Sequence, residues 1–152
     1  QHCRCSCNGA VAAAVVVLME RSLAEQKGLK PLARLVGYSV AGVEPEIMGI
    51  GPVPAVRQLL EKTGLSIADL DVIELNEAFA VQALACIRDL GLPLDRVNPN
   101  GSGISLGHPV GATGCLLTVK ALNELKRTGG QRALVTMCIG GGQGIAAIFE
   151  RI

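Results

Sequence analysis

The stretch Asn98-Pro-Asn-Gly-Ser-Gly-Ile-Ser-Leu-Gly-His-Pro-Val-Gly-Ala-Thr-Gly114 carries five glycines and a lone histidine, with Pro109 directly before a helical pattern. Glycines admit positive φ and close backbone approach, so the run reads as a tight loop pressed against something. Proline suits the first turn of a helix. His108 therefore stands at a helix entrance, where backbone amides favour developing negative charge. That is a sound place for acid–base chemistry, and what the flanking segments bring to it decides both fold and function.

Downstream, Ala112, Leu116, Val119 and Leu122 mark the inward face of a long helix over Pro109–Arg127, closed by Gly129-Gly130. Gln131–Cys138 and Gly144–Phe149 read as strands, with a glycine turn at Gly140–Gly142 between them, close enough to pair as a hairpin. Upstream, Phe79, Ala83, Cys86, Ile87 and Leu90 follow one helical face, and Asp71–Leu75 is a compact strand ending at Asn76, a natural helix cap. Ser66 with Asp69 forms a capping-box pattern, and Val56, Leu59 and Leu60 mark a helix over Ala55–Thr63. Ala33–Val43 alternates as a strand, Glu20–Lys27 is a short polar helix, and the valine-rich run Ala12–Met19 reads as a strand covered on both faces. Together these predict an α/β fold: a mixed five-stranded sheet flanked by helices, ending in an antiparallel strand pair.

At 152 residues, 49% of them hydrophobic and 18% charged, the chain suits one domain with its own core. A net charge of +1 gives no case for nucleic acid or an anionic membrane as partner. The longest apolar run, Ala10–Met19, is too short to span a bilayer and lacks the flanks of a secretory signal, which favours a soluble, cytoplasmic protein. Of six cysteines, Cys3, Cys5 and Cys7 crowd one end while Cys86, Cys115 and Cys138 are scattered through apolar segments, a pattern of free thiols. The His2-Cys3-Arg-Cys5-Ser-Cys7 cluster lacks zinc-motif spacing and no second ligand pair follows, so no metal site is assigned. Residues 1–11 read as a divergent end, disordered or foreign to the domain over 12–152.

Asn76, His108 and Cys138 stand at element boundaries, at intervals of 32 and 30 residues. In α/β proteins such junctions are where sites are assembled. Each also has a plain structural reading: a helix cap, a histidine fixed beside a proline, a small buried hydrophobe. Cys138 differs from the other scattered cysteines because Ile-Gly-Gly-Gly-Gln-Gly144 follows it, and bare backbone N–H groups beside a thiol suit an oxyanion hole. Thiol, imidazole and amide together are a candidate acyl-transfer set.

Four segments carry a more specific signal. Asn76-Glu-Ala-Phe79, the Gly101–Gly114 stretch with Gly107-His-Pro109, and Cys138-Ile-Gly-Gly-Gly-Gln-Gly144 resemble, in order and spacing, the three C-terminal signatures of the thiolase family. Met48-Gly-Ile-Gly-Pro-Val-Pro54 resembles a fourth segment, which lines that family's substrate site. The resemblance runs from about Ala13 to Ile152. It implies that His108 activates a nucleophilic cysteine and lends an N–H to one oxyanion hole, where Asn76 holds a water. It implies that Cys138 is the second catalytic cysteine, that the Gly140 N–H belongs to the other oxyanion hole, and that Met48, Ala78 and Phe79 border the acyl-pantetheine. The expected chemistry is acyl transfer between CoA thioesters through an acyl-cysteine, with coenzyme A as co-substrate and no bound cofactor. The nucleophile itself belongs to an N-terminal half whose motif is not found here, so the expected partners are that half and, in the full enzyme, further copies in a homodimer or homotetramer. The expected location is the cytoplasm, or the mitochondrion or peroxisome in a eukaryote. The contrasting reading is a non-catalytic binding or assembly module built on the same half-fold.

Overall fold

The computed structural model describes residues 12–152. The cysteine cluster at Cys3, Cys5 and Cys7, and the divergent end read over 1–11, lie outside the described residues. The chain runs through α1 (Arg21–Gln26), β1 (Ala33–Gly42), a 3-10 segment (Pro45–Ile50), α2 (Pro52–Thr63), β2 (Val72–Leu75), α3 (Ala80–Leu90), α4 (Gly103–Leu106), α5 (Thr113–Thr128), β3 (Arg132–Ile139) and β4 (Gln143–Arg151). The strand order is β1-β4-β3-β2, with β2 parallel to β3 and the β3–β4 and β1–β4 pairs antiparallel. The α/β class, the mixed sheet and the terminal hairpin are as expected.

The sheet has four strands, not five. Ala12–Met19 lies outside it, with Val15 and Val17 79% and 74% exposed. An apolar run states a preference for burial, whereas a strand exists only by pairing, and among the described residues no strand pairs with this run.

Both faces of the sheet centre are covered. On one, α2 and α3 close over Leu59, Leu70, Ile73, Leu134 and Ile148, all fully buried. On the other, α5 lays Leu117, Ala121 and Leu125 on Val72, Ala133 and Val135. Each fully buried leucine contributes about 2 kcal/mol of transfer free energy. The buried stripe of α5 is thus Thr113, Leu117, Thr118, Ala121, Glu124 and Leu125, while the expected Ala112, Leu116 and Leu122 are half-buried and Val119 is exposed. Two adjacent rows of the helix are apolar, and the buried row is masked in sequence because it includes Thr113 and Glu124. Those polar side chains are satisfied internally, Thr113 Oγ1 by the Pro109 carbonyl at 2.9 Å and Glu124 by Arg127 and Asn100.

Three helix starts also move, α2 beginning at Pro52, three residues before the expected Ala55. α5 begins at Thr113, because the Pro109 carbonyl first accepts the Ala112 and Thr113 N–H groups in a separate turn. α3 begins at Ala80 with Phe79 at its cap position. Asn76 caps nothing and is left for another use. Among the described residues no helix is long and apolar enough to cross a membrane.

Candidate active site

Alternation along β2 sends Val72, Glu74 and Asn76 toward α5, and Ile73 and Leu75 to the opposite face. Asn76 extends the β2–β3 ladder with one bond, its N–H donating to the Thr136 carbonyl at 3.0 Å. Its side chain is fully buried and meets His108, Asn76 Nδ2 lying 3.4 Å from His108 Nε2. Asn76 Oδ1 is buried without a hydrogen-bond partner among the described residues, which leaves an acceptor open to water or ligand.

The ring of His108 is held from both sides. The Thr113 hydroxyl donates to the Pro109 carbonyl, so toward His108 Nδ1, 2.7 Å away, its oxygen accepts. Nδ1 therefore carries the proton. The Asn76 amide nitrogen can only donate, so Nε2 receives. Both contacts select the same tautomer, with the Nε2 lone pair facing Asn76 as a base. Thr113 was not singled out by sequence reasoning. Its signal is its place five residues beyond His108, across the Pro109 turn.

The loop leading into His108 is stitched to the end of β2. Asn98 accepts the Leu75 N–H and donates to the Leu75 carbonyl, both at 2.9 Å, and so acts as a short substitute strand. Ser102 Oγ donates to the same carbonyl at 3.1 Å. Lys120 on α5 pairs with buried Glu74 at 2.7 Å and also donates to the Gly101 carbonyl. Gly103 passes so close that a Cβ there would stand 2.6 Å from the Glu77 carbonyl oxygen and 3.2 Å from Asn76 Oδ1. Only glycine lets the loop lie against the Glu77–Ala78 peptide and the Asn76 side chain.

Cys138 is at the end of β3 that runs beside Asn76, paired with Gly144 across the hairpin. It is buried, and burial raises its thiol pKa, which keeps the thiol protonated. Cys86, fully buried on α3, is pushed up to about 11 by the same cause and donates to the Gly49 carbonyl at 3.4 Å. Gly140 is exposed, and a Cβ there would meet nothing within 4 Å, so its backbone is open to approach. A Cβ at Gly144 would overlap Gly51, which seats the 3-10 segment carrying half-buried Met48 against the start of β4. Ala78 is buried and Phe79 is 52% exposed just before α3. The structure thus brings Asn76 and His108 into contact, and places Cys138 and Gly140 at the same end of the sheet with Met48, Ala78 and Phe79 on the elements beside them. Among the described residues no group of three or more His, Cys, Asp or Glu is placed to hold a metal ion.

Residues 29–151 match the family model described as thiolase, C-terminal domain. The chain belongs to the thiolase family. It is 71% identical over 141 residues to a beta-ketothiolase of Cupriavidus necator, covering 93% of this chain and 36% of that protein. A cytosolic acetyl-CoA acetyltransferase of Mus musculus is 50% identical over 91% of this chain and 35% of its own length. Among solved structures, the acetyl-CoA acetyltransferase of Bacillus anthracis superposes with a TM-score of 0.87 at 53% identity, over 88% of this chain and 34% of that one. A human mitochondrial 3-ketoacyl-CoA thiolase in complex with CoA superposes at 0.85 with 49% identity, over 87% and 34%. This thiolase domain therefore spans about a third of the length of the relatives it matches.

Proposed function

We propose that this domain is the C-terminal catalytic part of an enzyme that transfers acyl groups between CoA thioesters, and that a preceding half supplies the nucleophilic cysteine. The observation that carries the reading is the Asn76–His108 contact with His108 Nδ1 pinned on Thr113, because it leaves one base, at Nε2, beside one buried amide. The homology to beta-ketothiolases and acetyl-CoA acetyltransferases supports the reaction class, and the neighbour solved with CoA supports coenzyme A as co-substrate.

In thiolysis the partner cysteine passes its proton to His108 Nε2 and attacks the keto carbon of a 3-ketoacyl-CoA. The Cα–Cβ bond breaks, and the electron pair leaves on the α-carbon of acetyl-CoA as an enolate. The enolate oxygen is held by the new Nε2–H and by a water on Asn76; the acyl carbonyl oxygen faces the Gly140 N–H. Cys138 protonates the α-carbon, which its burial suits, since a thiol with a raised pKa keeps its proton until a carbanion takes it. The CoA thiol then gives its proton to the Cys138 thiolate and attacks the acyl-cysteine; the shortened acyl-CoA leaves, and the released sulfur of the nucleophilic cysteine takes back the proton held at His108 Nε2. Condensation runs the same steps backward. Met48, Ala78 and Phe79 border the acyl-pantetheine. We place the enzyme in the cytoplasm as a homo-oligomer, in keeping with its cytosolic mouse relative.

The test is kinetic. In the full-length enzyme, His108→Ala and Cys138→Ala each lower kcat for thiolysis of acetoacetyl-CoA by about 1,000-fold, and Asn76→Ala by about 100-fold. Near-normal turnover by His108→Ala or Cys138→Ala would remove that residue from the mechanism.

A further inference from the structure

We infer that Glu77 is a positioning residue that sets Asn76 against His108, an inference that rests on the acyl-transfer reading above. Glu77 directly follows Asn76, and each of its carboxylate oxygens holds a different part of the histidine-bearing loop. Oε1 accepts from Asn98 Nδ2 at 3.2 Å, at the start of the loop. Oε2 accepts the Ile104 N–H at 3.1 Å, in α4. Four residues later the same backbone reaches His108.

No other side chain of the Asn76-Glu-Ala-Phe79 segment can do this. Asn76 Nδ2 meets His108, the Ala78 side chain is a methyl, and Phe79 stands at the cap of α3. The remaining ties between loop and sheet act elsewhere: Asn98 and Ser102 hold Leu75, one residue before Asn76, and Lys120 holds Gly101 from α5. Ser102 does not cap α4, because its hydroxyl is turned to the Leu75 carbonyl, so the Glu77 carboxylate is what meets the first turn of that helix. Glu77 is half-buried and belongs to none of the apolar clusters, so its contacts fix the loop and leave the core packing to other residues.

The Asn76–His108 separation is already 3.4 Å, near the outer limit for a hydrogen bond. A loop displaced by a few tenths of an ångström would part the two groups. The consequence belongs to the chemical step, since neither Asn98 nor Ile104 is among the residues bordering the acyl-pantetheine.

The experiment uses the full-length enzyme, with acetoacetyl-CoA and CoA as substrates and kcat expressed per acylatable site. Glu77→Ala is expected to lower kcat by about 100-fold with KM near that of the parent and an unchanged melting temperature. Glu77→Gln keeps one acceptor oxygen but turns an NH2 toward the second donor, so its kcat falls between the two. A Glu77→Ala enzyme with parental kcat, or one whose loss is wholly in KM, overturns the inference. Should Glu77→Ala fail to fold, Glu77→Gln decides: reduced kcat at unchanged KM supports the role, and parental kcat overturns it. A parent enzyme with no acyl transfer would sink the thiolase reading and this inference with it; an active parent indifferent to Glu77 sinks the inference alone.

Discussion

His108 and Thr113 show how a single hydroxyl settles what an imidazole can do. With its hydrogen donated to the Pro109 carbonyl, Thr113 presents a lone pair to Nδ1, an arrangement that suits the proposed base at Nε2. Thr113→Val keeps the shape of this buried side chain and removes the acceptor. Its kcat is expected to fall by about 100-fold while Thr113→Ser stays near the parent, as steady-state kinetics on the full-length enzyme would read. Equal rates for valine and serine would mean that the tautomer is set by something else. Asn76, His108 and Cys138 were legible as residues, because their motifs are local in sequence. Their supports were not. Thr113 and Glu77 lie inside the same motifs, but they act through partners at distances that only the folded loop defines.

Among the elements, the strands β1 to β4 are legible to within two residues of their ends and α2 at its glycine stop, its start lying at Pro52 and not Ala55. The helix α5 is legible, but its buried row runs through Thr113, Leu117, Ala121, Glu124 and Leu125 instead of Leu116, Val119 and Leu122. Leu116 and Leu117 are adjacent, and an apolar pattern alone does not say which row the sheet takes; the answer depends on Thr113 and Glu124, two polar residues that bury only because Pro109, Arg127 and Asn100 satisfy them. The register has a direct energetic consequence. Leu125→Ala, at a fully buried position, should destabilise the protein by about 2–5 kcal/mol. Val119→Ala, at a position 36% exposed, should cost well under that, about 0.5 kcal/mol. Denaturant unfolding of the two variants reads the difference, and a reversed order would restore the other face. The valine run Ala12–Met19 failed as a strand for a related reason: its composition asks for cover on both faces, which a segment cannot provide for itself.

At the scale of the whole molecule, the outer face of β1 is the least covered part of the sheet. Leu35, Tyr38 and Val40 are 45%, 57% and 50% exposed there, while α5 shields only the β2 and β3 side. Among the described residues the proposed catalytic set is a base, an amide and a thiol, with Cys86 and Cys115 left on helices and burial holding Cys86 far above the range of a reactive thiol. Both facts fit the proposal that this domain is the C-terminal part of an acyl-transfer enzyme, and the chain matches about a third of each relative. The central claim is this division of labour: acid–base chemistry here, nucleophile elsewhere. It is tested most directly by thiolysis of acetoacetyl-CoA, followed as loss of the substrate's absorbance, with the isolated domain and with the same domain continuous with an N-terminal thiolase half. The isolated domain is expected to show no turnover above background and the joined protein full turnover. Robust thiolysis by the isolated domain would contradict the account.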